Sequence, residues 1–300
     1  MRTIALAAIL CVGTTAHAET KAWTAAKKVL PAGSQIVGGM NMAVARNSSL
    51  YQTAMPMMLS QAGAAKDQLD SIKKACGIDM LEAIDSIAIG FDDNQRGAVV
   101  IAIKGTTRKD LETCAEKRAT AGGKKFATKT DKADGGLTLY SGIDGKDVWV
   151  KWLAADVVAL TTSPDDKDAT TKLLAGGAMS DKALKARVGK TNTDAMAWGV
   201  ATMTEKLDAV GATMSAAYGS INAASSNLAV NIHVVVENAK TATDAAKKLN
   251  DLADDAKKSN QIPAEISKSL SIKSASDEVV VTTTFPEKVM FELIGALMNH

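Results

Sequence analysis

Between Leu228 and Val236 every second residue is apolar, with Leu228, Val230, Ile232, Val234 and Val236 in alternation. A period of two predicts a half-buried strand. The period then lengthens: Ala242, Ala245, Leu249, Leu252 and Ala256 fall at three-to-four spacing, which predicts a helix over residues 239–258. The same succession occurs earlier, where Val99, Ile101 and Ile103 alternate along a strand feeding a helix over residues 107–121. A strand over residues 36–44 precedes a long helix over residues 51–76. Its apolar stripe is Met55, Met58, Ala62, Ala65, Leu69, Ile72 and Cys76. The later counterparts are a strand over residues 195–202 and a shorter helix near Lys206.

Aligning Pro164 with Pro286 lays residues 148–164 over residues 270–286 without a gap. Lys151 meets Lys273, Asp156 meets Glu278, and the Val-Val, Thr-Thr and Pro positions coincide. Each copy reads as a hairpin feeding a helix with Pro at its first position, where the missing N–H costs nothing. Ser163 would cap the first of these helices, with Asp165 and Asp166 in its first turn; Glu287 would do similar dipole work in the second. The first half carries an extra strand over residues 137–141. The expected fold class is α+β, with two related β-α-β-β-α-β-β-α halves from an internal duplication. They form a mostly antiparallel sheet with helices packed on one face. The expected organisation is a signal peptide at 1–18, a first repeat at 19–176, a linker at 177–193 with a short helix over 183–188, and a second repeat at 194–300.

The leader changes the picture from fold to compartment. Arg2, the apolar run from Ile4 to Val12 and the triplet Ala16-His17-Ala18 have the order of a cleavable secretory signal. That run is too short to span a bilayer, which needs roughly 20 residues, and Ile9 and Leu10 before Cys11 do not suit a lipoprotein site. The expected product is exported, periplasmic or extracellular, without stable membrane insertion. The remaining chain of roughly 280 residues suffices for a large core. With 35 Lys+Arg against 33 Asp+Glu, no charge excess recommends nucleic acid as a partner.

Cys76 and Cys114 both fall on apolar helical stripes. They are two buried thiols or, as an oxidising compartment favours, a disulfide.

Candidate chemistry is sparse. His233 shares the polar side of its strand with Asn231 and Glu237 and reads as a surface residue. With His300 it is too little for a triad or a His-rich zinc site, and no nucleotide-binding or nucleophile-elbow motif occurs. Asp92-Asp93-Asn94 reads as a hairpin turn, lacking the further ligands of a calcium loop. No metal site or cofactor is expected. The cluster Met40, Met42, Met55, Met57 and Met58 has three readings: core packing, a copper(I) site, or the adaptable lining of an apolar pocket. In the first hairpin Trp149 and Leu153 stand on a face where the second copy has Ser271 and Ala275. Either neighbouring structure covers them or they form a patch for a ligand or partner.

Leu30-Pro31-Ala32-Gly33 before a strand, Ser49-Leu50-Tyr51 opening a helix and Cys76-Gly77-Ile78-Asp79 before the next strand resemble uncharacterised exported bacterial proteins of that layout. The resemblance implies the fold and export, and no activity. The expected function is that of an exported, non-enzymatic binding protein for an apolar ligand such as a lipid, or for an envelope protein. Trp149, Leu153, Met55 and Met58 are its candidate surface. The alternatives are a hydrolase with a carboxylate site assembled in space, or a purely structural interaction module.

Overall fold

The computed structural model describes residues 19–290 apart from 62, 122, 124, 132–135, 144–145 and 225. The expected signal peptide and His300 therefore lie outside the described residues. In chain order the first half begins with α1 (Lys21–Val29), β1 (Ile36–Asn41), α2 (Met42–Arg46), α3 (Ser49–Gln61) and α4 (Ala64–Cys76). Next come α5 (Met80–Ala83), β2 (Ile84–Phe91), β3 (Gly97–Ile103), α6 (Arg108–Ala121) and β4 (Ala127–Asp131). It closes with β5 (Leu137–Ile143), β6 (Lys146–Ala154), β7 (Val157–Thr161) and α7 (Lys167–Leu173). After α8 (Lys182–Lys190), the second half has β8 (Ala197–Ala201), β9 (Glu205–Leu207), β10 (Ala212–Met214), β11 (Ala216–Ala224) and β12 (Asn227–Val235). The last elements are α9 (Ala239–Lys258), α10 (Ala264–Ser269), β13 (Ser271–Ala275) and β14 (Glu278–Pro286).

Twelve strands form one sheet in the order β13-β14-β12-β11-β8-β1-β2-β3-β7-β6-β5-β4. Its pairings are antiparallel, so the α+β class is as expected. The halves meet at β1 and β8 in the middle. Outward from that seam both have the same connectivity, β1-β2-β3-β7-β6 on one side and β8-β11-β12-β14-β13 on the other. Each half also opens with a helix, α1 before β1 and α8 before β8, so the segment expected as a linker carries a helix of the core.

The helices, expected on one face, cover both. On one face Trp23 and Leu30 pack with Val37, Val100, Val200 and Tyr218, and α8 adds the fully buried Leu184. The Trp23 and Trp198 rings meet edge to face, 4.6 Å apart. Strand alternation sends Val234, Val279 and Val281 the other way, under Ala242, Ala245 and Leu249 of α9. On that second face Leu111 of α6 packs against Ile103, Val150 and Val158. Ala45 of α2 and Leu50 of α3 pack against Met196, Leu228 and Phe285. Strands covered on both faces, such as β3 and β7, accordingly alternate only in part.

Several expectations are corrected. The long helix of residues 51–76 is two helices, because Gly63 between them has φ +45°, outside helical geometry. The strand ends at Asn41, whose side chain accepts from Val44 N–H at 3.2 Å and caps α2, so Met42 opens a helix and does not share a strand face with Met40. The helix near Lys206 is the β9–β10 hairpin. Its Val210 and Ala212 are buried with α9, and alternation past the turn wins over local propensity. Pro164 is not the first helical residue: Asp166 caps α7, accepting from Ala169 N–H at 3.0 Å, and the Pro164 carbonyl accepts from Trp149 N–H. Glu287 is buried, and its carboxylate accepts from Leu50 N–H at 2.7 Å and from the Ser49 hydroxyl at the start of α3. A charged acceptor among otherwise unpaired N–H groups pins that helix to the end of β14.

Candidate functional site

Cross-strand register assembles a feature in the middle of the sheet, on the α9 face, that no single segment contains. Gly38 of β1 pairs with Gly199 of β8, and Gly199 pairs with Gly219 of β11. Ile89 of β2 and Ile232 of β12 continue the row at its two ends. Directly opposed residues point to the same face, so three adjacent strands present no side chain along this line. The flanking positions are small over β8, where Ala197 and Ala201 stand either side of Gly199. Elsewhere Ile36 and Met40 flank Gly38, and the small Ala217 and the larger Ile221 flank Gly219. An open trough of about 360 Å³ lies over the β8 and β11 part of this line, between Ile36 of β1 and Ile232 of β12, while Gly38 itself is buried.

Its lining is apolar because the intervening polar and aromatic side chains leave on the other face. Trp198, Val200 and Tyr218 belong to the α1-side core and contribute only backbone here. That backbone is already paired in the ladder. Ile36, Met40 and Ile232 are 37%, 39% and 42% exposed, an unusual accumulation of large apolar side chains on one uncovered strip. The glycines differ in how much they could change. A Cβ on Gly219 would lie 2.3 Å from the Asn231 carbonyl oxygen, whereas one on Gly199 would meet only the Val37 carbonyl oxygen, at 3.9 Å.

The residues singled out from the sequence lie elsewhere. Trp149 and Leu153 are half-buried against the α1-side core, and Lys167 of α7 sits 5.4 Å over the Trp149 ring. Met55 is half-buried on α3; the side chain of Met58 lies outside the described residues. Of the methionine cluster, Met40 is exposed on β1 but is not among the residues that line the trough. Cys76 and Cys114 form a disulfide with Cα atoms 5.3 Å apart, joining α4 to α6. This is a bond of oxidising compartments and supports an exported protein. Beside it lies a second cleft of about 410 Å³, lined by Asp79, Glu82, Lys104, Asp110 and Lys117 among others. Asp79 there is committed to Lys73 and to the first turn of α5, and Asp110 to Thr107.

Two buried polar clusters have no counterpart in the sequence pattern. His233, expected at the surface, is stacked on Tyr218 with ring centres 4.5 Å apart, and its Nδ1 lies 2.9 Å from Glu278. The same buried carboxylate accepts from the Tyr218 hydroxyl at 2.6 Å, Arg187 at 3.0 Å and Lys190 at 2.8 Å. Burial alone would raise its pKa, but the hydrogen bonds from Lys190, Tyr218 and His233 outweigh that and hold it at about 2. Burial, then the hydrogen bond to Glu278, pushes the Tyr218 hydroxyl well above its ordinary range. Asp156, which aligns with Glu278, likewise binds Lys21 of α1 at 2.7 Å. In each half an acid, Asp156 in the turn before β7 and Glu278 at the start of β14, thus pairs with the helix that opens that half. In the other cluster Tyr140 donates to Glu112 at 2.8 Å and accepts from the Trp152 indole at 2.6 Å. Burial first, then Glu112, pushes its hydroxyl up to about 12. Both clusters are fully partnered, which suits scaffolding better than proton transfer.

The chain is thus an α+β protein built on one twelve-stranded sheet and a small β9–β10 hairpin, with helices on both faces and, among the described residues, an apolar strip left open near the centre of the large sheet. No protein-family model and no curated protein matches it. Two solved structures of TP0453 share the fold. Crystal form III superposes with a TM-score of 0.53 at 9% identity, covering 90% of this chain and 97% of that one. Crystal form I gives 0.52 at 10% identity, with 90% and 96% covered. Identity this low carries the fold alone.

Proposed function

We propose that this is an exported, non-enzymatic binding protein, periplasmic or extracellular, that takes an apolar ligand in the trough over Gly199 and Gly219. The observation that carries the reading is the glycine row. Glycine weakens a strand interior by roughly 0.5–1 kcal/mol relative to alanine, and Gly199 and Gly219, paired across β8 and β11, leave an apolar floor without side chains. A volume near 360 Å³ falls within the roughly 300–1,000 Å³ of small-molecule sites. The disulfide supports export, and the fully partnered polar clusters favour binding over catalysis.

The test is to fill the trough from its floor. Gly199→Leu places a side chain where a Cβ has open space, so the melting temperature should stay within a few degrees of wild type. Binding of an environment-sensitive apolar dye, followed by its fluorescence, should fall at least about tenfold (a loss of roughly 1.4 kcal/mol). Dye binding that survives Gly199→Leu in a folded protein places the apolar site elsewhere and removes this reading.

A further inference from the structure

We infer that the Cys76–Cys114 bond is a thiol–disulfide exchange site, reduced in the folded protein by an external dithiol that enters the cleft beside it; this does not depend on the trough. Both cysteines line that cleft of about 410 Å³. Cys76 is half-buried and Cys114 only 6% exposed, so the sulfur open to attack is that of Cys76. Cys76 also sits on the looser of the two helices. Among the described side chains of α4 none is buried; Leu69 and Ile72 are half-buried and most others exposed. The end of α4 can therefore give way locally while the sheet and its core stay closed.

Charge sets the direction of the exchange. The sulfur that leaves does so as a thiolate, and it leaves faster where a thiolate is stabilised. Cys76 is the last residue of α4, where the partial negative charge of the helix end opposes a thiolate. Cys114 lies within α6, with Lys117 three residues on and hence on the same side of the helix. Lys104 and Lys117 both line the cleft, and neither ammonium is paired among the described residues. The acids there are engaged elsewhere: Asp79 with Lys73, Glu82 with Arg46 at 3.7 Å, and Asp110 with Thr107. Access at one sulfur and positive charge at the other is the setting of an exchangeable cysteine pair. A thiolate of the dithiol bonds to Cys76 Sγ as the Sγ–Sγ bond breaks, and the electron pair passes to Cys114 beside the lysines. The second thiolate of the dithiol then displaces Cys76. Two electrons have reached the protein, which holds two thiols once water has protonated them, and the dithiol has become a disulfide.

Reduction of the full chain by dithiothreitol, quenched with acid and read by counting alkylated thiols, tests this. Well below the melting temperature the rate should rise in proportion to dithiothreitol concentration, because exchange in the cleft needs no unfolding. A rate that levels off at that of global unfolding would overturn the inference, since the bond would then be reached only in the open chain. Trapping with a monothiol should place the mixed disulfide on Cys76; an adduct confined to Cys114 overturns the proposed order of attack. Lys117→Gln should slow reduction about threefold and leave the melting temperature of the oxidised protein unchanged. Lys117→Arg should restore the rate, and molar salt should erase the difference. Equal rates in all three proteins would overturn the assignment of Cys114 as the leaving sulfur. Reduced thioredoxin, offered at the same dithiol concentration, separates the two sources of this chemistry. Reduction faster than by dithiothreitol names a protein dithiol and slower reduction a small one, and either supports exchange in the cleft.

Discussion

Glu278→Gln is expected to destabilise the protein by about 3 kcal/mol, the lower end of the cost of removing one partner from a buried ion pair. The lower end applies because Lys190 is half-exposed and Arg187 partly so, and water screens what they lose. The deeper cost falls on Tyr218 and His233, whose polar atoms are aimed at this carboxylate and would face a neutral amide that cannot satisfy all four donors. The same residue sets an acid limb. A carboxylate whose pKa falls on folding stabilises the fold while ionised. Its contribution is complete above the ordinary glutamate value of 4.5 and is lost as pH falls through about 2. Urea denaturation from near neutrality to about pH 2 should show wild-type stability declining across that window and a shallower decline in Glu278→Gln. Equal slopes would mean that the carboxylate is as easily protonated in the fold as out of it.

Reducing the Cys76–Cys114 bond is expected to cost about 4 kcal/mol, from the entropy that a cross-link spanning 38 residues removes from the unfolded chain. In a protein of this size that corresponds to a melting temperature lower by roughly 10 °C. The bond joins the last residue of α4 to the middle of α6. Between them lie β2 and β3, so the closed loop contains two strands of the central sheet. Cys114→Ser should reproduce the loss without reductant. An unchanged melt together with two freely titrating thiols would contradict the bond.

Structure that depends on local period is legible in the sequence. The helix of residues 239–258 has the expected bounds, and the strands at Val99 and Leu228 and the hairpin at Val148 lie where alternation placed them. α1 was not expected. Trp23, Ala26 and Val29 do recur at three-residue spacing behind a Thr20 cap, but so short a stripe, directly after the apolar leader, gives little periodic signal of its own. The trough was not legible at all. Gly38 was visible only as half of a Gly-Gly pair without a phosphate-binding pattern, and Gly199 and Gly219 stood in unrelated strands. Only register brings the three together, and register between distant strands is set by the whole core. The packing of His233 was hidden for the same reason: its partners Tyr218 and Glu278 come from two other strands.

The most direct test of the apolar-site account is nuclear magnetic resonance of uniformly labelled protein titrated with a long-chain saturated fatty acid. The account predicts that amide shifts cluster on Gly199, Gly219 and the neighbouring Ile36, Ala201 and Ile221, with contacts from the chain's methylenes to the glycine α-protons. Shifts confined to the cleft beside Cys76 and Cys114, or absent from the glycine row at saturation, would contradict it.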